Sequence, residues 1–399
     1  VEHKALPAAA LALDMSLTNG QLALVTLGRL ALTTAYRIIY PLQPFLVLHL
    51  NVDLRAVTLL VTMQVIASLI SPLGGALADT RGERTIMAWA LGLFCVGSGL
   101  CALSATFDAF LVGYTLIGLA IALYQPAAQA YLSARTHYAR RGRALGVFEI
   151  SWAGAALLGV APLMQLVQAT SNLAPVFWAL LIAGGISLAL IRFALPPTPW
   201  HASASTRRID WSALRARRVV AMLAMLMLCL GAVDLIFVIQ AVWLKTSFGT
   251  DEGQLGLVFG MLGIAELIGT LSSTGLVDRL GKKRSVVGGF ALTALCMAAL
   301  PFSEGHWLLF LVLFFLFDLC FEFSLVSVFP LISGIAPHVR GTILALSVAA
   351  IGVGRTVGSQ LSAPLWSRYG ITANALVGAG LLLAGVLLCV LFVHETEGM

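Results

Sequence analysis

Along this chain, apolar residues run in long unbroken blocks separated by a few polar positions, and the two-residue alternation of strands is absent. Twelve blocks stand out, at about 21–48, 56–78, 85–106, 109–132, 144–168, 174–195, 219–244, 254–277, 285–303, 307–332, 342–364 and 371–393. Each is long enough to carry a helix through the roughly 30 Å hydrocarbon core of a bilayer. A helix satisfies its own backbone polar groups in lipid, and long runs without alternation favour a helical bundle over an outer-membrane barrel. The predicted fold is therefore an all-α integral membrane protein with 12 transmembrane helices.

The joints are short with one exception. "PPTPWHASASTRRIDWSALRARR", Pro196 to Arg218, is polar and basic and divides the blocks six and six. Its "IDWSALRARR" portion predicts a short interfacial amphipathic helix. The organisation that follows is a lead-in (1–20), a first six-helix bundle (21–195), a cytoplasmic linker (196–218), a second bundle (219–393) and a tail (394–399). An internal repeat supports two pseudo-symmetric halves: Asp79 and Asp278, Gly82 and Gly281, and Gly142 and Gly341 are each 199 positions apart. Parallel repeats joined by a central loop are a recurring transporter plan, with the substrate path between the halves.

Composition sharpens this reading. With 59% hydrophobic and 11% charged residues, and a mean hydropathy of +0.96, the chain lies far from soluble globular usage. The net charge of +6 does not point to nucleic acid, because no basic helix or reading module accompanies it. It follows the positive-inside rule instead. With both termini cytoplasmic, the inner segments hold the clusters around Arg81, Arg140, Arg207, Arg217 and Lys282, while the outer segments hold only Arg55, Lys245 and Arg368. The location expected is a cell inner membrane, with the protein acting as a monomer among membrane lipids. All six cysteines fall inside apolar blocks without metal spacing, so neither a metal site nor a cofactor is expected. The short apolar stretch Ala5 to Leu13 cannot span, and is read as part of the lead-in.

The loop after the second block carries a family likeness. "GALADTRGERT" holds Gly75, Leu77, Ala78, Asp79, Gly82 and Arg84, and its echo "GLVDRLGKKR" holds Asp278, Arg279, Gly281, Lys282 and Lys283. The chain resembles the major facilitator superfamily over nearly its whole length, whose loop reads G-x-L-A-D-R-x-G-R-[KR]. Thr80 and Glu83 depart from the usual basic residues. The twelve-span layout is similar to the proton-coupled drug-efflux branch. Tyr114 stands where that branch often has an arginine, four residues before Gly118. Gly154, Gly159 and Pro162 replace its adjacent Gly-Pro. The resemblance implies alternating access. Gly75, Asp79, Gly82, Arg84, Asp278, Arg279, Gly281 and Lys282 are expected to act as a conformational latch, the carboxylates accepting from a neighbouring helix N-terminus. The second copy is no phosphate-binding loop, since five residues separate Gly275 from Gly281 and no Ser or Thr follows the lysine. An ion or solute gradient then supplies the energy.

The sharper chemistry is in charges within the blocks, which in lipid need an interior cavity and a partner. Asp234, Asp318 and Glu322 are the proton-coupling candidates. The last two are four apart and so share one helix face, and two close carboxylates in low dielectric do not both ionise cheaply. Arg37 and Arg355 are counter-charges, and Glu149 and Glu266 further members. Glu149, near a block end, also has a plainer reading as a partner of Arg143. Tyr36, Tyr40, Tyr124, Gln125, Trp152, Phe237 and Gln240 are candidate pocket residues; taken singly each reads more simply as packing, and it is their clustering near charges that points to a pocket. The function expected is proton-coupled (or other ion-coupled) efflux of an amphipathic or cationic small molecule. The alternatives are a carrier of an anionic metabolite, siderophore or lipid, with the arginines on the anion, and a non-transporting membrane receptor or scaffold. No catalytic signature points to an enzyme.

Overall fold

A computed structural model describes residues 17–68, 70–136, 138–196, 216–335 and 340–393. The lead-in up to residue 16, the linker segment 197–215 with its expected amphipathic helix, and the tail 394–399 lie outside the described residues. So do the side chains of Asp79, Asp278 and 137–143.

The described chain makes twelve spans in two sets of six. Span 1 is Asn19–His49, capped by Thr18, whose side chain accepts from the Gln21 amide while the Gln21 side chain accepts from the Thr18 amide. Span 2 is built from Leu54–Ser68 and Ser71–Arg81, and span 3 from Glu83–Leu103. Span 4 is Phe107–Arg135. Span 5 runs Tyr138–Gly154, a π-helical turn Ala155–Val160, then Ala161–Thr170, and span 6 is Ala174–Ala194. In the second half, span 7 comprises Arg217–Phe237 and Gln240–Phe248, and span 8 is Glu252–Leu280. Span 9 is Lys282–Ala299 with a 3-10 turn, and span 10 is Trp307–Ile335. Spans 11 and 12 form one run, Arg340–Phe392, broken where Gly370 takes φ 71°.

The structure departs from the apolar blocks mainly where helices bend. Span 1 contains Pro41 and Pro44, which withdraw the donors that would serve the Arg37 and Tyr40 carbonyls. The π turn of span 5 precedes Pro162, and π turns and prolines are the usual causes of kinks. Span 7 is interrupted after Phe237, and the Leu235 carbonyl there accepts from Ser362 Oγ and Asn374 Nδ2, both at 2.8 Å. Spans 11 and 12 thus cap the break.

The repeat seen in the sequence has a backbone counterpart. Gly82 joins spans 2 and 3 at φ 85°, ψ 137°, and Gly281 joins spans 8 and 9 at φ 89°, ψ 138°. Only glycine takes this conformation freely. Next to each glycine, a basic side chain reaches the end of the last span of its own half. Arg84 donates to the Arg192 carbonyl of span 6, and Lys283 to the Val390 carbonyl of span 12 at 3.0 Å. These turns lie at the end of the bundle that carries both chain ends, here called the basic end.

The halves meet toward the opposite end. Gln165 of span 5 donates to the Gly253 carbonyl of span 8 at 2.9 Å, and Gln360 of span 11 donates to Thr62 of span 2. Span 8 lies on span 5 through Gly256, Gly260 and Gly263; a methyl group at Gly263 would sit 2.8 Å from the Ala153 carbonyl. Beyond Glu266, span 8 turns to its own half. Gly269 packs on Leu319 and Glu322, and Ser273 bonds Ser327 at 3.0 Å.

Candidate substrate and coupling site

Span 1 supplies the first-half side of the site, and its two arginines tie it to span 5. Arg29 donates to the Phe148 carbonyl at 2.9 Å and to Glu149 at 2.7 Å. Two turns on, Arg37 donates to the Trp152 carbonyl at 3.0 Å. Each guanidinium also stands over an aromatic ring, Arg29 at 4.3 Å from the Phe148 centroid and Arg37 at 5.0 Å from that of Trp152. Tyr36 lies 6.0 Å from Trp152, ring to ring.

Arg37 then crosses to the second half. Its two terminal nitrogens meet the two oxygens of Glu266 on span 8 at 2.5 and 2.7 Å. Both side chains are under a tenth exposed, so this is a buried, bidentate pair that joins the halves. Asp318 and Glu322 on span 10 lie within electrostatic reach of Arg37. Glu322 accepts from Thr270 Oγ1 at 3.0 Å. Asp318 is 1% exposed, and its Oδ2 has no hydrogen-bond partner among the described residues.

A second ion pair sits beside the break in span 7. Arg355 Nε donates to Asp234 Oδ2 at 3.1 Å, and Arg355 Nη2 donates to Tyr40 Oη at 3.1 Å. Tyr40 belongs to span 1, so this pair also bridges the halves. Phe237 closes against Phe317 and Phe321 of span 10, at 5.5 and 5.7 Å between ring centroids.

Four charged side chains are therefore gathered where the halves meet, Arg37, Glu266, Asp318 and Glu322, and fully ionised, one arginine against three carboxylates leaves a formal charge of −2. The Arg355–Asp234 pair, neutral in itself, stands beside them at Tyr40, one turn along span 1 from Arg37. An unpaired carboxylate away from water is costly. Such a cluster is balanced by protons, by a cation, or by both. The arginines are already engaged by carboxylates, which leaves less for an anion to bind.

Other expected residues take different places. Glu149 pairs with Arg29 and also accepts from Gln129 at 3.2 Å, with its side chain 46% exposed, at the edge of the group and within electrostatic reach of Glu322. Tyr124 is buried and donates to the Val25 carbonyl at 2.8 Å, a packing role between spans 1 and 4. Gln125 is half-buried on span 4, while Gln240 is buried just past the span 7 break, its Oε1 unpartnered among the described residues. Tyr114, where the efflux branch has arginine, is buried and stitches three spans. Its hydroxyl lies 3.2 and 3.1 Å from the carbonyls of Ala35 and Tyr36, and it accepts from Gln64 Nε2. Sequence reasoning passed over Gln64, Thr62, Gln360 and Thr270. The available signal was a hydrogen-bonding side chain inside an apolar block, which in lipid calls for a partner.

A family model described as Major Facilitator Superfamily matches residues 25–239 and 231–398. The chain belongs to the major facilitator superfamily. It is 24% identical over 381 residues to the uncharacterized MFS-type transporter YwfA of Bacillus subtilis (strain 168), covering 94% of this chain and 92% of that one. It is 23% identical over 329 residues to the multidrug resistance protein MdtG of Escherichia coli (strain 55989 / EAEC), covering 79% of each. Among solved structures, a D-xylose-proton symporter superposes with a TM-score of 0.79 at 19% identity, over 95% of this chain and 98% of that one. The inward-open E. coli xylose transporter XylE gives 0.79 at 16%, over 95% and 97%. These two likenesses show the fold. Membership of the major facilitator superfamily makes the protein a multi-pass secondary transporter of a small molecule.

Proposed function

We propose that this superfamily member exports an amphipathic or cationic small molecule across the inner membrane in exchange for protons. The observation that carries the reading is the excess of three carboxylates over one arginine in the buried group around Arg37, with Asp318 holding an oxygen that has no partner among the described residues. Asp234, Asp318 and Glu322 take the protons. Glu266 and the freed carboxylates meet the cation, and Tyr36, Tyr40, Trp152 and Phe237 give the apolar and aromatic lining that a small-molecule site needs. The multidrug resistance proteins named MdtG among the relatives support the efflux direction.

The basic end is read as cytoplasmic from its lysines and arginines, with both termini there. On that reading the halves are held together on the outer side by Gln165–Gly253 and Thr62–Gln360, and deeper by Tyr40–Arg355 and Arg37–Glu266, so a substrate path between them would open toward the inside. The cycle then rocks the halves about the cluster. The turns at Gly82 and Gly281 act as latches at the inner side, with Asp79, Arg84, Asp278, Arg279 and Lys282 as their polar parts.

The test is thermal stability of the purified monomer with added tetraphenylphosphonium, a lipophilic cation, or with a lipophilic organic anion of similar size. A ligand of the folded state raises its melting temperature. The proposal expects a rise with the cation that fades as pH falls and protons compete. Stabilisation by the anion alone, lost on Arg37→Gln or Arg355→Gln, would transfer the assignment to an anion carrier.

A further inference from the structure

Away from the cluster, a cavity of about 390 Å³ opens on the lipid-facing side between spans 7, 11 and 12. Its walls are Met227, Gly231 and Leu235 of span 7, Gly354 and Leu361 of span 11, and Val377 of span 12, and they are almost wholly apolar. Leu361 and Val377 are each about half exposed, which in a membrane means that they face acyl chains. The floor is set where the backbones of spans 7 and 11 touch: a methyl group at Gly231 would stand 2.8 Å from the Gly354 carbonyl.

One end of the groove differs. Arg368 and Tyr369 line it at the end opposite the basic end, where span 11 leaves the membrane. Both are exposed, and no ion pair of Arg368 is found among the described residues. Lys245, a neighbour in kind at that end, is already held by Glu252 at 2.6 Å. From Gly354 to Arg368 the helix rises about 21 Å at 1.5 Å per residue. That is half the roughly 40–45 Å of a bilayer with its headgroups. The groove thus runs the depth of one leaflet, from the midplane to the level of the phosphates, and ends in a free guanidinium beside an interfacial tyrosine.

We propose that this groove is a binding site for an anionic phospholipid of the leaflet opposite the basic end. One acyl chain lies against Gly231, Gly354 and Leu361, and the headgroup phosphate meets Arg368. Guanidinium and phosphate form charge-assisted hydrogen bonds. The lining carries one cation and no carboxylate, so it favours a net-negative headgroup over a zwitterionic one whose amine would find no acceptor charge. The lipid would brace the two helices that carry Asp234 and Arg355.

The experiment is native mass spectrometry of the full chain released from nanodiscs of equal phosphatidylglycerol and phosphatidylethanolamine. The wild type should retain about one phosphatidylglycerol preferentially after stepwise delipidation. Arg368→Gln should lower that preference about tenfold, the loss of one charged hydrogen bond. Leu361→Trp, which fills the groove, should lower retention of both lipids. Glycerol phosphate, which offers the headgroup without the chain, should neither compete nor protect. Equal retention of both lipids by wild type and Arg368→Gln would mean ordinary boundary lipid and overturns the proposal. So would competition by glycerol phosphate alone, or a dimer abolished by Leu361→Trp, which would give the groove to a second copy.

Discussion

The pair Arg37–Glu266 is the one bidentate ion pair joining the halves among the described residues, and its removal has a calculable effect. Its two hydrogen bonds measure 2.5 and 2.7 Å, and both side chains are more than nine-tenths buried. Truncating one member of a buried pair costs about 3–5 kcal/mol, because the survivor is left charged and unpaired. For Glu266→Gln the lower end applies, since Asp318 and Glu322 stay within reach of Arg37. If the pair exists only while the halves are closed on this side, about 3 kcal/mol moves the conformational equilibrium by a factor of about 10². Spin labels report this directly. Asp108→Cys and Glu304→Cys place one exposed label on each half at the end opposite the basic end, on a background without the six native cysteines. Glu266→Gln should enlarge the longer-distance population. Arg37→Gln should do the same, and the double variant should show less than the sum of the two, as coupled partners do. An unchanged distance distribution, with strictly additive melting temperatures, would refute the tie.

Three further outcomes follow from the packing. Tyr114→Phe removes the hydroxyl that serves Gln64 and the carbonyls of Ala35 and Tyr36; thermal unfolding in detergent should show a loss of only about 0.5–1.5 kcal/mol, the net worth of a hydrogen bond, since Gln64 Nε2 keeps its bond to the Tyr36 carbonyl at 2.8 Å. Gly358→Leu should abolish recovery of monodisperse protein by size-exclusion chromatography, because a side chain there meets the backbone of Gly231, whereas Gly288→Leu, with open space around it, should be recovered normally. Asp234→Asn should leave the melting temperature within a few degrees, as Arg355 keeps its bond to Tyr40, while transport of a lipophilic cation in proteoliposomes falls at least about tenfold, the scale of a lost charge-assisted contact.

The spans were legible because the bilayer demands long apolar helices, and the two halves because one turn is written twice. Gly82 and Gly281 adopt nearly the same φ and ψ, and Arg84 and Lys283 make corresponding contacts. The bends were not legible. Hydropathy runs smoothly through the π turn before Pro162 and through the break after Phe237, and local backbone geometry there is set by neighbours such as Ser362 and Asn374. Charged positions inside the blocks were found from their cost in lipid, and Arg37 and Arg355 were read as counter-charges, but which carboxylate each one takes was not legible. Arg37 and Glu266 are 229 residues apart, and only the packing of span 8 on spans 1 and 5 brings them together. Tyr124 takes the plainer of its two readings: its hydroxyl closes on the Val25 carbonyl and packs span 4 against span 1.

The central claim is that protons on the buried carboxylates drive the transport of a cation. It is tested most directly in proteoliposomes that carry an imposed pH gradient, with ethidium as the probe. Wild-type protein should move ethidium against its gradient and dissipate the pH difference as it does so. Asp318→Asn with Glu322→Gln should leave downhill ethidium exchange measurable and abolish the pH-driven component. Undiminished pH-driven accumulation by that double variant would contradict the account.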